Sequence, residues 1–156
     1  MQKKIIPFDG LWIFKVDPLD RGIAEEWFSV HHNKETWSSV DVPEYWERYH
    51  CRPLFDGVGW YACTIEVKDV SQPLSLFFGG VDDDTDVWVN GMQVGAHSGY
   101  SESFRMPINQ AVKVGINEIV VRVNGHGSLG GIYRPITIIP TNEVDQLFHT
   151  KYSLME

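Results

Sequence analysis

The stretch that most constrains the fold of this chain is a β-hairpin signal within residues 85–94. Val87 and Val89 occupy alternate positions before Asn90-Gly91, and alternation resumes after that dipeptide. Asn-Gly tolerates the positive φ angles of a two-residue type I′ turn, so it is the strongest short-range hairpin signal. We therefore predict two antiparallel strands joined at Asn90-Gly91, with Val87 and Val89 facing a hydrophobic core.

Further strands are predicted wherever apolar residues alternate between Gly, Pro, Asn or Asp signals. These segments are 11–17, 38–42, 58–67, 74–78, 103–108, 116–124 and 134–140. We expect each main strand to be half-buried, and Pro107 to keep its strand at a sheet edge. In the first half of the chain, residues 20–28 are the one helical candidate, of about two turns at most. Such a pattern favours an all-β, antiparallel β-sandwich.

Composition and charge narrow the classes of partner. The chain has 156 residues, enough for one domain, which we place at 1–140, with residues 141–156 as a docked tail or linker. A net charge of −8 without a Lys/Arg cluster argues against nucleic acid and against an anionic membrane. Pro7 and Asp9 interrupt any apolar run after Lys3-Lys4, so we expect no signal peptide and, if Met1 is the native start, a cytoplasmic protein.

The cysteines, the acidic residues and the histidines give no pattern that predicts a cofactor. A bridge between Cys51 and Cys63 is the less favoured of two states, because spacing alone cannot establish disulfide geometry. The acidic run Asp82, Asp83, Asp84 and Asp86 suggests calcium as a minor alternative, but alternation at strand entry points successive carboxylates to opposite faces. We favour a solvated acidic rim. The histidines have no zinc-ligand spacing.

Eight short segments of the chain form one ordered set. They are FDGLW (8–12), VP with WE (42–43, 46–47), GWY (59–61), FGGVDD (78–83), VWVNG (87–91), VGAH (94–97), GIN with VRV (115–117, 121–123) and GGIYRP (130–135). Together, and in this order, they resemble one family, the N-terminal sugar-binding-type domain of family 2 glycoside hydrolases, the β-galactosidase, β-glucuronidase and β-mannosidase group. The resemblance covers nearly the whole chain, from Phe8 to Pro140.

The resemblance implies a jelly-roll β-sandwich with a galactose-binding-domain-like fold, in agreement with the strand pattern. It implies no catalytic centre here, since the family's two catalytic glutamates lie on a separate barrel that needs about 250 residues. Loop 125–129 is shorter than the active-site loop that enzymes of the family often carry there. Loop 44–57 is long, and it has no clean period.

Loops at one end of the sandwich are expected to gather groups suited to carbohydrate. Aromatic faces stack on pyranose rings, and planar polar groups bind vicinal hydroxyls. The alternative, left open here, is that Trp46 and Tyr133 plug the sandwich end and that Arg134 pairs with an acid such as Asp56. The candidate carbohydrate-binding residues are Trp46, Asp56, His97, Tyr100, His126, Tyr133 and Arg134.

Three functions are compatible with these features. We favour a non-catalytic carbohydrate-binding module. The first alternative is an N-terminal domain or subunit of a β-glycosidase whose catalytic barrel lies on another segment or chain. The second is a structural or assembly domain without a ligand. In that case the apolar residues Leu147, Phe148 and Tyr152 of the tail contact a second copy or a catalytic partner.

Overall fold

Antiparallel strands form the regular structure of the residues that can be described. The structure is a computed structural model, and it describes residues 6–7, 12–44, 57–125 and 130–143. A turn of 3₁₀-helix, Thr141–Glu143, follows the last strand. The strands are β1 (Ile6–Pro7), β2 (Trp12–Asp17), β3 (Ser38–Val40), β4 (Val58–Val67), β5 (Leu74–Phe78), β6 (Val81–Asp82), β7 (Asp84–Val89), β8 (Met92–His97), β9 (Phe104–Pro107), β10 (Gly115–Asn124), β11 (Gly131–Ile132) and β12 (Ile136–Pro140).

Two sheets face each other as a sandwich, which confirms the predicted fold class. One sheet has the order β3-β2-β4-β10-β7-β8, and the other has the order β1-β12-β5-β9. The short strands β6 and β11 pair separately. Consecutive strands cross repeatedly from one sheet to the other, as in a jelly roll. β9 lies at a sheet edge, as Pro107 predicted.

The predicted hairpin joins β7 and β8. Asn90 has φ 52° and Gly91 has φ 83°, the left-handed values that a type I′ turn requires. The Asn90 side chain also ties the turn to β10, because its Oδ1 accepts a hydrogen bond of 2.9 Å from the Glu118 amide and its Nδ2 donates to Asn117 Oδ1 at 2.8 Å. The turn residue therefore fixes both the hairpin and its neighbour strand.

The main core lies between the two sheets and contains the faces that alternation predicted. Val87 and Val89 are fully buried there. The sheets approach so closely beside β8 that a Cβ on Gly95 would lie 2.9 Å from Met106 Sδ. Cys63 contributes a buried free thiol, and burial raises the pKa of that thiol; Cys51, the other half of the less favoured bridge, lies outside the described residues. Other members include Trp12, Phe14, Tyr61, Leu76, Phe78, Phe104, Ile119, Val121, Ile136 and Ile138.

The expectation that each strand is half-buried is wrong for β4. Its first six residues are buried on both faces, because a second apolar cluster covers the outer face of the six-stranded sheet. We call this the outer cluster; it consists of Trp27, Trp37, Val58, Trp60, Ala62, Trp88 and Val120, with Ile13 and Phe28 packed against it. Trp60 and Trp88 stack with ring centroids 5.2 Å apart. Four of the chain's six tryptophans lie in this cluster.

The helix predicted at residues 20–28 is also wrong. The segment forms successive turns whose backbone hydrogen bonds span four, three and five residues. Asp20 and Glu26 have φ angles of 50° and 55°. Ile23 is 49% exposed, whereas Trp27 is buried in the outer cluster. The residues therefore do not share one helical face.

Ionic side chains hold this turn segment on the sheet. The buried Asp17 carboxylate accepts hydrogen bonds of 2.8, 2.8 and 2.9 Å from the Arg21 and Gly22 amides and the Trp60 indole. Arg122 bridges Asp20 and Asp86 at 2.8 and 3.1 Å. Partnered carboxylates and guanidinium groups can be buried at modest cost, so both serve as anchors.

Candidate functional site

One end of the sandwich gathers the connecting segments that sequence analysis selected. We call it the loop end and define it by the described residues 44, 57, 79–85, 97–104, 125 and 130–135. Backbone hydrogen bonds join these segments, from the Gly79 amide to the Pro135 carbonyl at 2.9 Å and from the Arg134 amide to the Gly80 carbonyl at 3.3 Å. The Asn90-Gly91 turn lies at the opposite end of β8.

Tyr100, Tyr133 and Arg134 form a connected group at the loop end. The Tyr133 hydroxyl donates a hydrogen bond to the Tyr100 carbonyl. The Arg134 guanidinium carbon lies 5.3 Å from the centroid of the Tyr133 ring. Tyr100 is 65% exposed, and Tyr133 and Arg134 are half-buried. The group presents an aromatic surface and a cation to solvent while holding each member in place.

Two glycines allow that group to approach the β5–β6 turn. A Cβ on Gly80 would lie 2.8 Å from Tyr133 Cζ, and a Cβ on Gly79 would lie 2.9 Å from Arg134 Cβ. The Ser103 hydroxyl donates to the Gly79 carbonyl at 2.9 Å. The absence of side chains at Gly79 and Gly80 therefore leaves room for Tyr133 and Arg134 against this turn.

His97 ends β8 and leads into the loop that carries Tyr100. Its ring stacks on Phe104 with centroids 4.0 Å apart, and its Nε2 lies 3.7 Å from a carboxylate oxygen of Glu102. His97 Nδ1 and Thr85 Oγ1 are buried without a hydrogen-bond partner. Thr85 is the cross-strand partner of His97. The pair therefore places two unsatisfied polar atoms next to the loop end.

Four of the seven predicted site residues thus lie in the described loop end: His97, Tyr100, Tyr133 and Arg134. The other three, Trp46, Asp56 and His126, lie outside the described residues. Their loops are anchored at this end, because the Glu44 amide donates to the Ile132 carbonyl at 2.8 Å and the Gly125 amide to the Gly57 carbonyl at 3.0 Å. The suggested pairing of Arg134 with Asp56 also lies outside the described residues.

Sequence reasoning missed Thr85 and Glu102. Thr85 lies in an alternating strand, and its position opposite His97 depends on the hairpin register. Glu102 has a weaker signal, since it is an exposed acid in the same loop as Tyr100. Thr85 becomes visible only once β7 and β8 are paired, and Glu102 only once the loop after β8 brings it to His97.

The acidic run enters β7 with its members in different surroundings. Asp82 is buried and lies opposite Gly131, and Asp86 pairs with Arg122 on the outer face. Asp83 and Asp84 are half-buried. Among the described residues, no three His, Cys, Asp or Glu side chains are grouped as a metal site would require.

No helix among the described residues is both long and apolar enough to span a membrane.

Comparison with solved structures supports the fold. The chain matches a β-glucuronidase from an uncultured Clostridium species with a TM-score of 0.79 and 23% identity, over 89% of this chain and 29% of that chain. It matches Ruminococcus gnavus β-glucuronidase with a TM-score of 0.78 and 20% identity, over 88% of this chain and 29% of that chain. At these identities the likeness shows the fold alone.

Curated relatives are hydrolases by name and much longer than the matched region. A β-glucuronidase of Paenibacillus borealis is 28% identical over 132 residues, 80% of this chain and 22% of the relative. A β-galactosidase of Kluyveromyces lactis is 26% identical over 170 aligned positions, 84% of this chain and 16% of the relative. A protein of Formosa agariphila that is named a putative β-glucuronidase is 29% identical over 119 residues, which are 72% of this chain and 14% of the relative.

The family model described as "Glycosyl hydrolases family 2, sugar binding domain" matches residues 51–133, more than half of the chain. The match contains the β5–β6 turn, the β7–β8 hairpin and most of the loop end. The chain therefore belongs to the sugar-binding domain family of family 2 glycosyl hydrolases.

Proposed function

We propose that this domain binds carbohydrate at the loop end and does not itself catalyse hydrolysis. The observation that carries the proposal is the joining of Tyr100, Tyr133 and Arg134 beside His97, in a domain whose family is described as sugar binding. Exposed aromatic rings stack on the apolar faces of pyranoses. Arginine and histidine donate hydrogen bonds to the hydroxyl groups.

Partial burial of Tyr133 and Arg134 supports a built site over a plug. Their contacts with each other and with Gly80 restrict their rotamers, which lowers the entropy that binding would otherwise cost. Tyr100 stays 65% exposed, so its ring is available to a ligand. Trp46, Asp56 and His126 complete the predicted set, on loops whose ends meet here.

The test is a calorimetric titration of the chain with neutral and acidic glycosides and with larger glycans. Tyr100→Ala removes an exposed ring, so we expect affinity to fall by about tenfold, within the range for one stacked aromatic. Arg134→Lys keeps the charge but removes the planar fork, so we expect a loss of about fivefold. Trp46→Ala tests the part of the site outside the described residues.

Met92→Ala is the matched control, because Met92 is 49% exposed at the hairpin end of β8. It should leave affinity unchanged. Equal losses in Met92→Ala and Tyr100→Ala, or no binding by the unchanged chain at millimolar glycan, would contradict the proposal.

A second function is favoured by the lengths of the relatives. Because the chain spans 14–22% of three named hydrolases, it is also a candidate for the N-terminal domain or subunit of a β-glycosidase. The loop end would then contribute contacts to a substrate held by a catalytic barrel. Hydrolysis of nitrophenyl β-glucuronide or β-galactoside by a barrel-bearing partner should rise on adding the chain. An unchanged rate would remove this alternative.

A further inference from the structure

We infer that the loop end is selective for neutral sugars and disfavours uronic acids. The inference rests on the proposed function and specifies its ligand class. It follows from the formal charge of the described residues and from the carboxylates among them, which only accept hydrogen bonds. The curated relatives include both β-glucuronidases and β-galactosidases, so their names leave the two ligand classes open.

Formal charge at the loop end is strongly negative. Arg134 is the single Lys or Arg in the described loop-end segments, and its guanidinium group already lies over the Tyr133 ring. The loop joining residues 44 and 57 adds two acids and two arginines, so it contributes no net formal charge. The acids of the described segments are Glu44, Asp82, Asp83, Asp84 and Glu102.

These acids lie near the candidate contacts. Glu102 is 3.7 Å from His97. Asp82 lies opposite Gly131, two residues before Tyr133. Glu44 hydrogen-bonds through its amide to the residue that precedes Tyr133. A carboxylate placed on this group would therefore meet like charges from three segments, and like charge disfavours binding.

Hydrogen-bonding capacity points in the same direction. Carboxylates only accept hydrogen bonds, and the Tyr133 hydroxyl already donates its proton to the Tyr100 carbonyl. The C6 hydroxymethyl group of a neutral sugar both donates and accepts, so it can donate to carboxylates of the loop end directly or through a water. A carboxylate has no proton to donate.

The size of the expected preference for neutral sugars follows from Coulomb's law in water. One unit charge about 8 Å from a ligand carboxylate changes affinity by about twofold at low ionic strength. Several such charges, partly screened, give a preference for the neutral ligand of about tenfold. Salt should reduce that preference, because the Debye length falls to about 8 Å at 0.15 M and about 3 Å at 1 M.

The experiment compares two ligands that differ only at C6. Methyl β-D-glucopyranoside carries a hydroxymethyl group there, and methyl β-D-glucopyranosiduronate carries a carboxylate. Both are titrated into the full chain at about 20 mM and about 500 mM salt, followed by NMR shifts. We expect the neutral glycoside to bind about tenfold more tightly at low salt and the ratio to shrink at high salt.

A pair of matched variants isolates the charge. Glu102→Gln removes one acid at the loop end, on a side chain that is 74% exposed, so folding should be unaffected. It should improve uronate affinity about twofold relative to the neutral ligand. Glu66→Gln makes the same change on an exposed residue near the other end of β4 and should leave the ratio unchanged.

The outcomes separate this inference from the proposed function. Equal or tighter binding of the uronate at low salt would overturn the neutral-sugar inference and leave carbohydrate binding standing. A ratio unaffected by both salt and Glu102→Gln would overturn the electrostatic cause. Failure of both glycosides and of larger glycans to bind would overturn the proposed function and this inference with it.

Discussion

The outer cluster and the loop end use aromatic residues in opposite ways. In the outer cluster, four tryptophans are buried, and the Asp17 carboxylate accepts a hydrogen bond from the indole of one of them, Trp60. At the loop end, Tyr100 is largely exposed, and Tyr133 and Arg134 hold each other half-buried. A high aromatic content is therefore not by itself a signal of sugar binding. The informative aromatic residues are those that the fold restrains but leaves accessible.

The largest effect should come from Asp17→Asn. The amide keeps the size of the carboxylate but sets an N–H group against one of three donors, in a site that is 2% exposed. We expect the free energy of unfolding to fall by about 3 kcal/mol. Urea denaturation measures it, and glycan affinity should persist while the variant is folded.

The matched control is Asp69→Asn, in which the side chain is exposed and accepts a hydrogen bond from the Ser71 amide. Its cost should be below about 1 kcal/mol. Similar losses in both variants would refute the anchoring role of Asp17.

The comparison is sharpened by making the same Gly→Ala change in each region. A Cβ at Gly22 would lie 2.5 Å from the fully buried Trp60 ring, so Gly22→Ala should destabilise the fold by about 2 kcal/mol with unchanged glycan affinity. A Cβ at Gly80 would lie 2.8 Å from Tyr133, whose half-buried ring can shift. Gly80→Ala should therefore cost about 1 kcal/mol or less and weaken binding about fivefold.

Urea denaturation and calorimetry on both variants measure the two quantities separately. If Gly22→Ala weakened binding as much as Gly80→Ala does, the two regions would not be functionally distinct.

The smallest effect concerns pH. Burial, followed by the charges of Lys34 and Lys15, lowers the pKa of His32 below its ordinary value of 6.5. The unfolded chain therefore takes up a proton before the folded chain does, and stability falls as pH drops through about 6.5. His32→Gln should reduce this slope slightly, as measured by urea midpoints at pH 7.5 and 5.5. A steeper slope in the variant would show that the sign is wrong.

Regular parts of the fold could be predicted because local rules and tertiary packing agree there. Asn90-Gly91 specifies its own turn, and alternation places Val87, Val89 and Tyr61 on the inner face. The last strand begins at Ile136 instead of residue 134, because Arg134 and Pro135 belong to the turn that contacts Gly79 and Gly80.

The outer cluster could not be predicted, because the helical spacing of residues 20–28 does not describe the turns that the segment forms. Residues 20–28 are shaped by the Asp17 carboxylate and by two positive φ angles at non-glycine residues, which no local pattern reveals. The loop end was predicted in composition. Its geometry was not, since the contact of Tyr133 with Tyr100 joins loops 33 residues apart, and the Thr85–His97 pair depends on strand register.

The most direct test of carbohydrate binding at the loop end is a map of backbone amide NMR shifts during titration of the chain with a glycan that binds it. The account predicts saturable shifts in residues 79–85, 97–104 and 130–135, with the amides of Trp27, Trp37 and Trp60 unmoved. Saturable shifts centred on the outer cluster or the Asn90-Gly91 end, or no shifts at millimolar glycan, would contradict it.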